Sequence, residues 1–103
     1  MIKYCLATSL AAAACLLAAS AVADVMDYYP ARAMNDEQQG VATIDCIVQA
    51  DGRLADCVIV SESPKGYGFG AATVRMFEDL AHEDMASHKP GDHQKFTFKW
   101  RLS

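Results

Sequence analysis

An Asp-Gly pair set between two runs of β-branched residues is the tightest constraint this chain carries. Residues 41–49 (VATIDCIVQ) and 54–60 (LADCVIV) flank Ala50-Asp51-Gly52-Arg53, the strongest short-range signature of a β-hairpin. Across a two-residue Asp51-Gly52 turn, paired positions sum to 103, as 46 and 57 do, so Cys46 lies opposite Cys57. Ile44 then faces Ile59, and Val48 faces Ala55. Opposed positions bring Cβ atoms within ~4.5–5.5 Å, close to what a disulfide needs. A three-residue turn with a bulge would shift the pairing by one and put the cysteines on opposite faces. A further bulge in the second strand would bring them back together.

The rest of the chain supplies two more elements. Residues 61–70 (SESPKGYGFG) read as a loop that lays Phe69 on the core. Residues 71–82 (AATVRMFEDLAH) follow helical periodicity, with Val74, Phe77 and Ala81 joined by Met76 and Leu80, while Arg75, Glu78 and Asp79 face water. Residues 83–93 are polar and contain Lys89-Pro90-Gly91, which marks a loop. Residues 94–102 alternate: Phe96, Phe98, Trp100 and Leu102 share one face, and Lys95, Thr97, Lys99 and Arg101 the other. That is the pattern of a half-buried antiparallel strand. Residues 24–39 form an N-terminal extension in which Pro30 suits the first position of a short helix. The ββαβ order implies an α+β fold, a three-stranded antiparallel sheet with one helix packed on its apolar face. Cations on the outward face of the last strand would guard its edge.

The chain start reads as an export signal. Met1, Ile2 and Lys3 precede 19 uncharged residues (4–22), and Ala21-Val22-Ala23 matches a small-x-small cleavage site. A retained membrane anchor is the competing reading, because 18 or more apolar residues can span a bilayer; the alanine content and the clean cleavage site favour removal. Lipidation at Cys15 is disfavoured, since Ala12-Ala13-Ala14 lacks the usual leucine. Cleavage after Ala23 leaves 80 residues, with eight basic and thirteen acidic side chains and a net charge of −5. A small acidic domain is poorly suited to nonspecific nucleic-acid binding, which rests on phosphate neutralisation. No second apolar run approaches membrane-spanning length. Cys5 and Cys15 leave with the signal, so Cys46 and Cys57 remain as an even pair in an oxidising compartment. A structural disulfide is the default there, with two buried free thiols as the alternative.

No constellation points to catalysis. The cysteines are eleven residues apart on two strands, unlike a redox pair at a helix N-terminus. The Gly66-x-Gly68-x-Gly70 run lacks the Gly-Lys-Ser/Thr ending of a phosphate loop. Ser61, Ser63 and Ser87 have no nucleophile-elbow context, and Glu78-Asp79 and Glu83-Asp84 point in different directions on a helix. His82, His88 and His93 fall near Glu83, Asp84 and Asp92, so a small periplasmic metal-binding protein is an alternative, although the spacings match no usual zinc pattern. No cofactor is implied.

The order of these pieces resembles the C-terminal domain of the TonB energy-transducer family. The matching features are Tyr29-Pro30, Gly40, the Val48-to-Leu54 hairpin core, Ser61-Glu62-Ser63-Pro64, Gly68-Phe69-Gly70-Ala71-Ala72 and the closing Phe96-to-Leu102 strand. The resemblance implies residues 40–103 as the TonB-like domain, a periplasmic location and transport-associated protein binding, and it supports the disulfide. In that family a segment of an outer-membrane receptor adds as an extra strand beside the last strand. Carried over, the contact strand is residues 94–102, with Lys95, Thr97, Lys99 and Arg101 on its outward face and the cations Lys95, Lys99 and Arg101 steering an acidic segment. The chain departs from a full transducer in lacking a Pro-rich spacer and a histidine in its N-terminal apolar segment. A dimer formed through the same edge strand is a further reading.

Overall fold

The computed structural model describes residues 24–102; the signal-peptide assignment to residues 1–23 lies outside them. A 3-10 turn at Val25–Tyr28 is followed by helix α1 at Ala31–Asn35, strands β1 at Gly40–Val48 and β2 at Leu54–Ser63, helix α2 at Phe69–Leu80, and strand β3 at His93–Trp100. The three strands form one antiparallel sheet in the order β2-β1-β3. The first strand is therefore central, and both later strands are edges. The expected α+β architecture is the one observed.

The hairpin takes the longer of the two routes open to it. Gln49 N–H donates to the Arg53 carbonyl at 2.8 Å and Gly52 N–H to the Gln49 carbonyl at 2.9 Å. Gly52 sits at φ +86°, the left-handed conformation that closes a three-residue turn. Val48 consequently pairs with Leu54, and Ile47 with Ala55, so the expected Val48–Ala55 pair does not form. Asp56, at φ +52°, then inserts one extra residue into β2, a bulge that aspartate tolerates better than most side chains. Beyond it Asp45 pairs with Val58 and Ile44 with Ile59. The bulge brings Cys46 and Cys57 together as a disulfide with Cα atoms 4.0 Å apart. A second irregularity, opposite Thr43 and Ile44, shifts the register again to Thr43–Ser61.

Strand β1 buries Ala42, Ile44, Cys46 and Val48 toward the helix, while Val41, Thr43, Asp45 and Ile47 stay half-exposed on the other face. Helix α2 begins two residues before the expected start. Gly68, at φ +88°, turns the chain, and the Glu62 carboxylate accepts from Gly70 N–H at 3.0 Å, placing an anion at the helix N-terminus. Its buried side runs through Phe69, Ala72, Thr73 and Met76. Val74 and Phe77 are half-buried, and Leu80, expected in the core, is 42 % exposed. One core cluster joins Tyr29, Ala33, Ala42, Phe69, Ala72, Met76 and Trp100. The other surrounds the disulfide with Ile44, Val48 and Leu54.

Gly40 marks where this packing leaves no slack. A Cβ there would strike the Phe69 ring and come within 2.8 Å of the Ser63 carbonyl. Because Phe69 is fully buried, the ring has nowhere to move. Gly40→Ala is expected to destabilise the domain by about 1–3 kcal/mol, read as a lower urea midpoint with an unchanged m-value.

Candidate functional site: two unequal sheet edges

The backbone pattern of β3 determines what its free edge offers. Val48 N–H donates to the Asp92 carbonyl at 2.8 Å, and Gly91 N–H to the Val48 carbonyl at 2.8 Å. Eight successive pairs follow without a shift, from Ile47–His93 to Gly40–Trp100. In an antiparallel ladder alternate residues turn their main-chain groups toward the partner strand. Residues 94, 96, 98 and 100 therefore serve β1, and residues 93, 95, 97 and 99 direct their N–H and C=O groups to the open side. The side chains obey the same alternation. Lys95, Thr97 and Lys99 are exposed on the face away from α2, whereas Phe96 and Phe98 are half-buried and Trp100 is buried.

Each sequence-derived contact residue has a defined place. Thr97 Oγ1 lies 2.8 Å from Thr43 Oγ1 on the central strand, a cross-strand bond that stiffens the middle of the edge. Arg101 is exposed just beyond the strand. The chain end is held there because Leu102 N–H donates to Gln39 Oε1 at 2.9 Å. Among the described residues Lys95, Lys99 and Arg101 form no ion pair. A domain of net negative charge thus presents three exposed cations along one edge, with Asp45 of β1 opposite Lys95 and no acidic residue opposite Lys99.

The β2 edge is different. It carries the two register irregularities, and its outward-turned Cys57 N–H is already taken, donating to Glu78 Oε2 of α2 at 3.4 Å. Arg53 reaches the Glu78 carbonyl with Nη2 at 3.2 Å, holding the helix against that strand. Bulges and covered donors are the usual means of closing an edge to strangers. Glu78 was expected merely to face water; its role depends on a contact across 21 positions, which no local pattern reveals.

The histidines do not converge. His82 forms a backbone bridge with Arg53, His88 Nε2 lies 3.2 Å from Glu83 Oε1, and His93 Nδ1 lies 3.2 Å from Asp45 Oδ1. Among the described residues no three His, Cys, Asp or Glu side chains come within reach of one ion.

Two tyrosines strap the N-terminal extension to the domain. The Tyr28 hydroxyl donates to Asp79 Oδ2 at 3.0 Å with Arg75 over its ring, and the Tyr67 hydroxyl donates to Asp36 Oδ2 at 2.9 Å with Arg32 over its ring. The phenol pKa values are raised, for Tyr28 first by desolvation and then by the Asp79 bond, and for Tyr67 first by the Asp36 bond. Both remain protonated donors at neutral pH.

The geometry defines a small α+β domain with one guarded sheet edge and one open, regular one. The model of the family described as Gram-negative bacterial TonB protein C-terminal matches residues 26–102, and the chain belongs to that family of transport-associated protein-interaction domains. Among solved structures, the TonB2 protein from Vibrio anguillarum is similar, with a TM-score of 0.55 and 18 % identity over 73 % of each chain, a likeness of fold. No curated protein matches. Among the described residues no helix is long and apolar enough to cross a membrane.

Proposed function

We propose that this protein is a periplasmic, non-catalytic binding module that accepts an extended segment of an outer-membrane receptor as a fourth strand beside β3. The observation that carries this reading is the asymmetry of the edges. β3 offers four unshifted residues whose open-side main-chain groups have no strand partner among the described residues, while β2 is bulged and covered by Glu78. Main-chain pairing supplies affinity in such complexes, and side chains on alternate positions supply selectivity. Lys95, Lys99 and Arg101 favour an acidic partner and would raise its rate of encounter.

Thr97 gives the test. Its N–H faces the open side, so proline there removes a donor from the edge and none from the β1–β3 ladder, a position where proline is tolerated. Thr97→Pro is expected to weaken capture of the receptor segment by about 10–100-fold, the effect of leaving one buried acceptor unpaired. Thr97→Val, which loses only the Thr43 bond, should bind nearly as wild type. Unchanged capture by a folded Thr97→Pro protein would refute strand addition at β3. A second copy of this chain is the competing occupant of the edge, and sedimentation across a range of concentrations separates the two.

Export with cleavage after Ala23 belongs to the same proposal. A domain released in this way could bind, compete or regulate, but could not transmit force from a membrane anchor. Intact mass of the exported protein is expected to begin at Asp24; a mass beginning at Met1 would restore the anchored reading.

A further inference from the structure

Strand addition at β3 leaves open what sequence the added strand must have, and the two sides of the edge differ sharply. On the outward face stand Lys95, Lys99 and Arg101, exposed and without ion-pair partners among the described residues. On the helix face stand Phe96 and Phe98, half-buried. Helix α2 packs against β1 and β2. It reaches β3 through Phe77, whose ring centroid is 4.7 Å from that of Phe96 and 6.1 Å from that of Phe98.

Phe77 also forms one wall of an open hollow of about 210 Å³, lined by Val25, Met76, Phe77, Leu80 and Ala81. Every lining residue is apolar. Val25 and Leu80 are 38 % and 42 % exposed, which makes this apolar surface without a partner among the described residues. Its size suits one or two branched aliphatic side chains, since a cavity of roughly 150 Å³ already holds a benzene ring. A fourth strand would lie ~4.8 Å beyond β3, with successive side chains on opposite faces. Its helix-side residues would then stand beyond Phe96 and Phe98, toward the hollow, while its other residues meet Lys95 and Lys99.

We infer that the strand accepted at β3 is a segment of alternating apolar and acidic residues, whose apolar side chains fill the hollow between the Val25–Tyr28 turn and the C-terminal half of α2. This rests on strand addition at β3 and adds to it a rule of composition and parity. The hollow determines affinity and register. The lysines, being exposed, contribute chiefly to encounter and orientation. The N-terminal turn thereby becomes part of the binding surface. It is held in place by the Asp24–Asp27 capping box and by the Tyr28–Asp79 hydrogen bond.

The test uses two synthetic ten-residue peptides of identical composition, one alternating glutamate with valine or leucine and one with the same residues in two blocks. Titration calorimetry is run against the wild type and against Leu80→Gln, Val25→Gln, Lys99→Glu and Thr97→Pro. The hollow residues are partly exposed, so the first two variants should fold; thermal unfolding checks this. The expected result is at least tenfold tighter binding of the alternating peptide than the blocked one. Leu80→Gln or Val25→Gln should reduce that preference about tenfold, Lys99→Glu should weaken both peptides at low salt, and Thr97→Pro should weaken binding by about 10–100-fold. Equal binding of the two peptides, or indifference to both hollow variants while Thr97→Pro weakens binding, overturns the composition rule and leaves strand addition standing. Sensitivity to the hollow variants with indifference to Thr97→Pro overturns strand addition instead. No binding of the alternating peptide at millimolar concentration overturns the inference outright.

Discussion

Breaking the Cys46–Cys57 bond is expected to lower the midpoint of thermal unfolding by about 10–20 °C. The bond closes a loop across 11 positions, for which the chain-entropy treatment gives just under ~3 kcal/mol. Each kcal/mol moves the midpoint of a domain this small by about 4–8 °C. A domain of this length has roughly 4–12 kcal/mol in all, so the crosslink is a large share of the margin. Two forms separate the contributions. Reduction leaves both sulfurs in place and reports the crosslink alone. Cys46→Ala with Cys57→Ala also removes volume from a cluster in which Cys46 is fully buried among Ile44, Val48 and Leu54, adding about 1 kcal/mol for the space left. Thermal unfolding followed by circular dichroism should therefore rank native, reduced and double-alanine proteins in that order. A reduced protein as stable as the native one would show that the hairpin is already closed in the unfolded chain.

The bond also ties the two edges together energetically. It joins the central strand to β2, the strand whose bulges and Glu78 contact close it to outside pairing. Loss of the crosslink would free β2 to slip, exposing main-chain groups beside Val58, Ile59 and Val60, which are 59 %, 45 % and 51 % exposed. Three adjacent exposed β-branched residues on an unguarded strand are an aggregation hazard. The reduced protein is accordingly expected to self-associate on warming, which light scattering would detect.

Local features of the fold were legible in the sequence, and features made by distant contacts were not. The hairpin, its cysteines and the alternating last strand are written within a dozen residues, where turn chemistry and side-chain periodicity decide the outcome. The turn length was ambiguous for a physical reason. Asp51-Gly52 serves a two-residue turn and equally a three-residue turn that needs only Gly52 in the left-handed region. Nothing local marked Asp56 as the residue that would absorb the difference, since aspartate accepts that conformation without demanding it. The α2 boundary was misplaced because Gly66, Gly68 and Gly70 read together as loop. Gly70 is helical and glycine for a packing reason, its absent Cβ making room for Ile59. Leu80 fitted the apolar period but lines an open hollow with Val25 and stays 42 % exposed. The edge position of β3 followed from the order of elements, although its cations read as a guard, whereas the guarding of β2 depended on Glu78 meeting Cys57. That contact exists only once the helix is docked.

Truncating Trp100 is expected to cost still more than losing the disulfide. Trp100 is 1 % exposed at the last position of β3. It packs edge-on against Tyr29 at 5.4 Å and Phe98 at 4.9 Å, and lies tilted against Phe69 at 6.4 Å. Its indole Nε1–H donates to Thr73 Oγ1 at 2.8 Å, and the Thr73 hydroxyl donates in turn to the Phe69 carbonyl at 2.7 Å. One side chain thus joins β3, α2 and the N-terminal extension in a single cluster. Trp100→Ala should destabilise by about 3–5 kcal/mol, enough to leave much of the protein unfolded at 37 °C. Trp100→Phe keeps most of the apolar contact but leaves Thr73 Oγ1 buried with one partner fewer, for about 1–2 kcal/mol. Thr73→Val in the Trp100→Phe background should recover part of that loss by removing the stranded hydroxyl, and in the wild-type background should be destabilising. Urea unfolding followed by far-ultraviolet circular dichroism measures all four, since Trp100 is the sole tryptophan and its fluorescence vanishes with it. Strict additivity of the two substitutions would mean that the buried hydrogen bond contributes nothing, and that Trp100 acts through its aromatic packing alone.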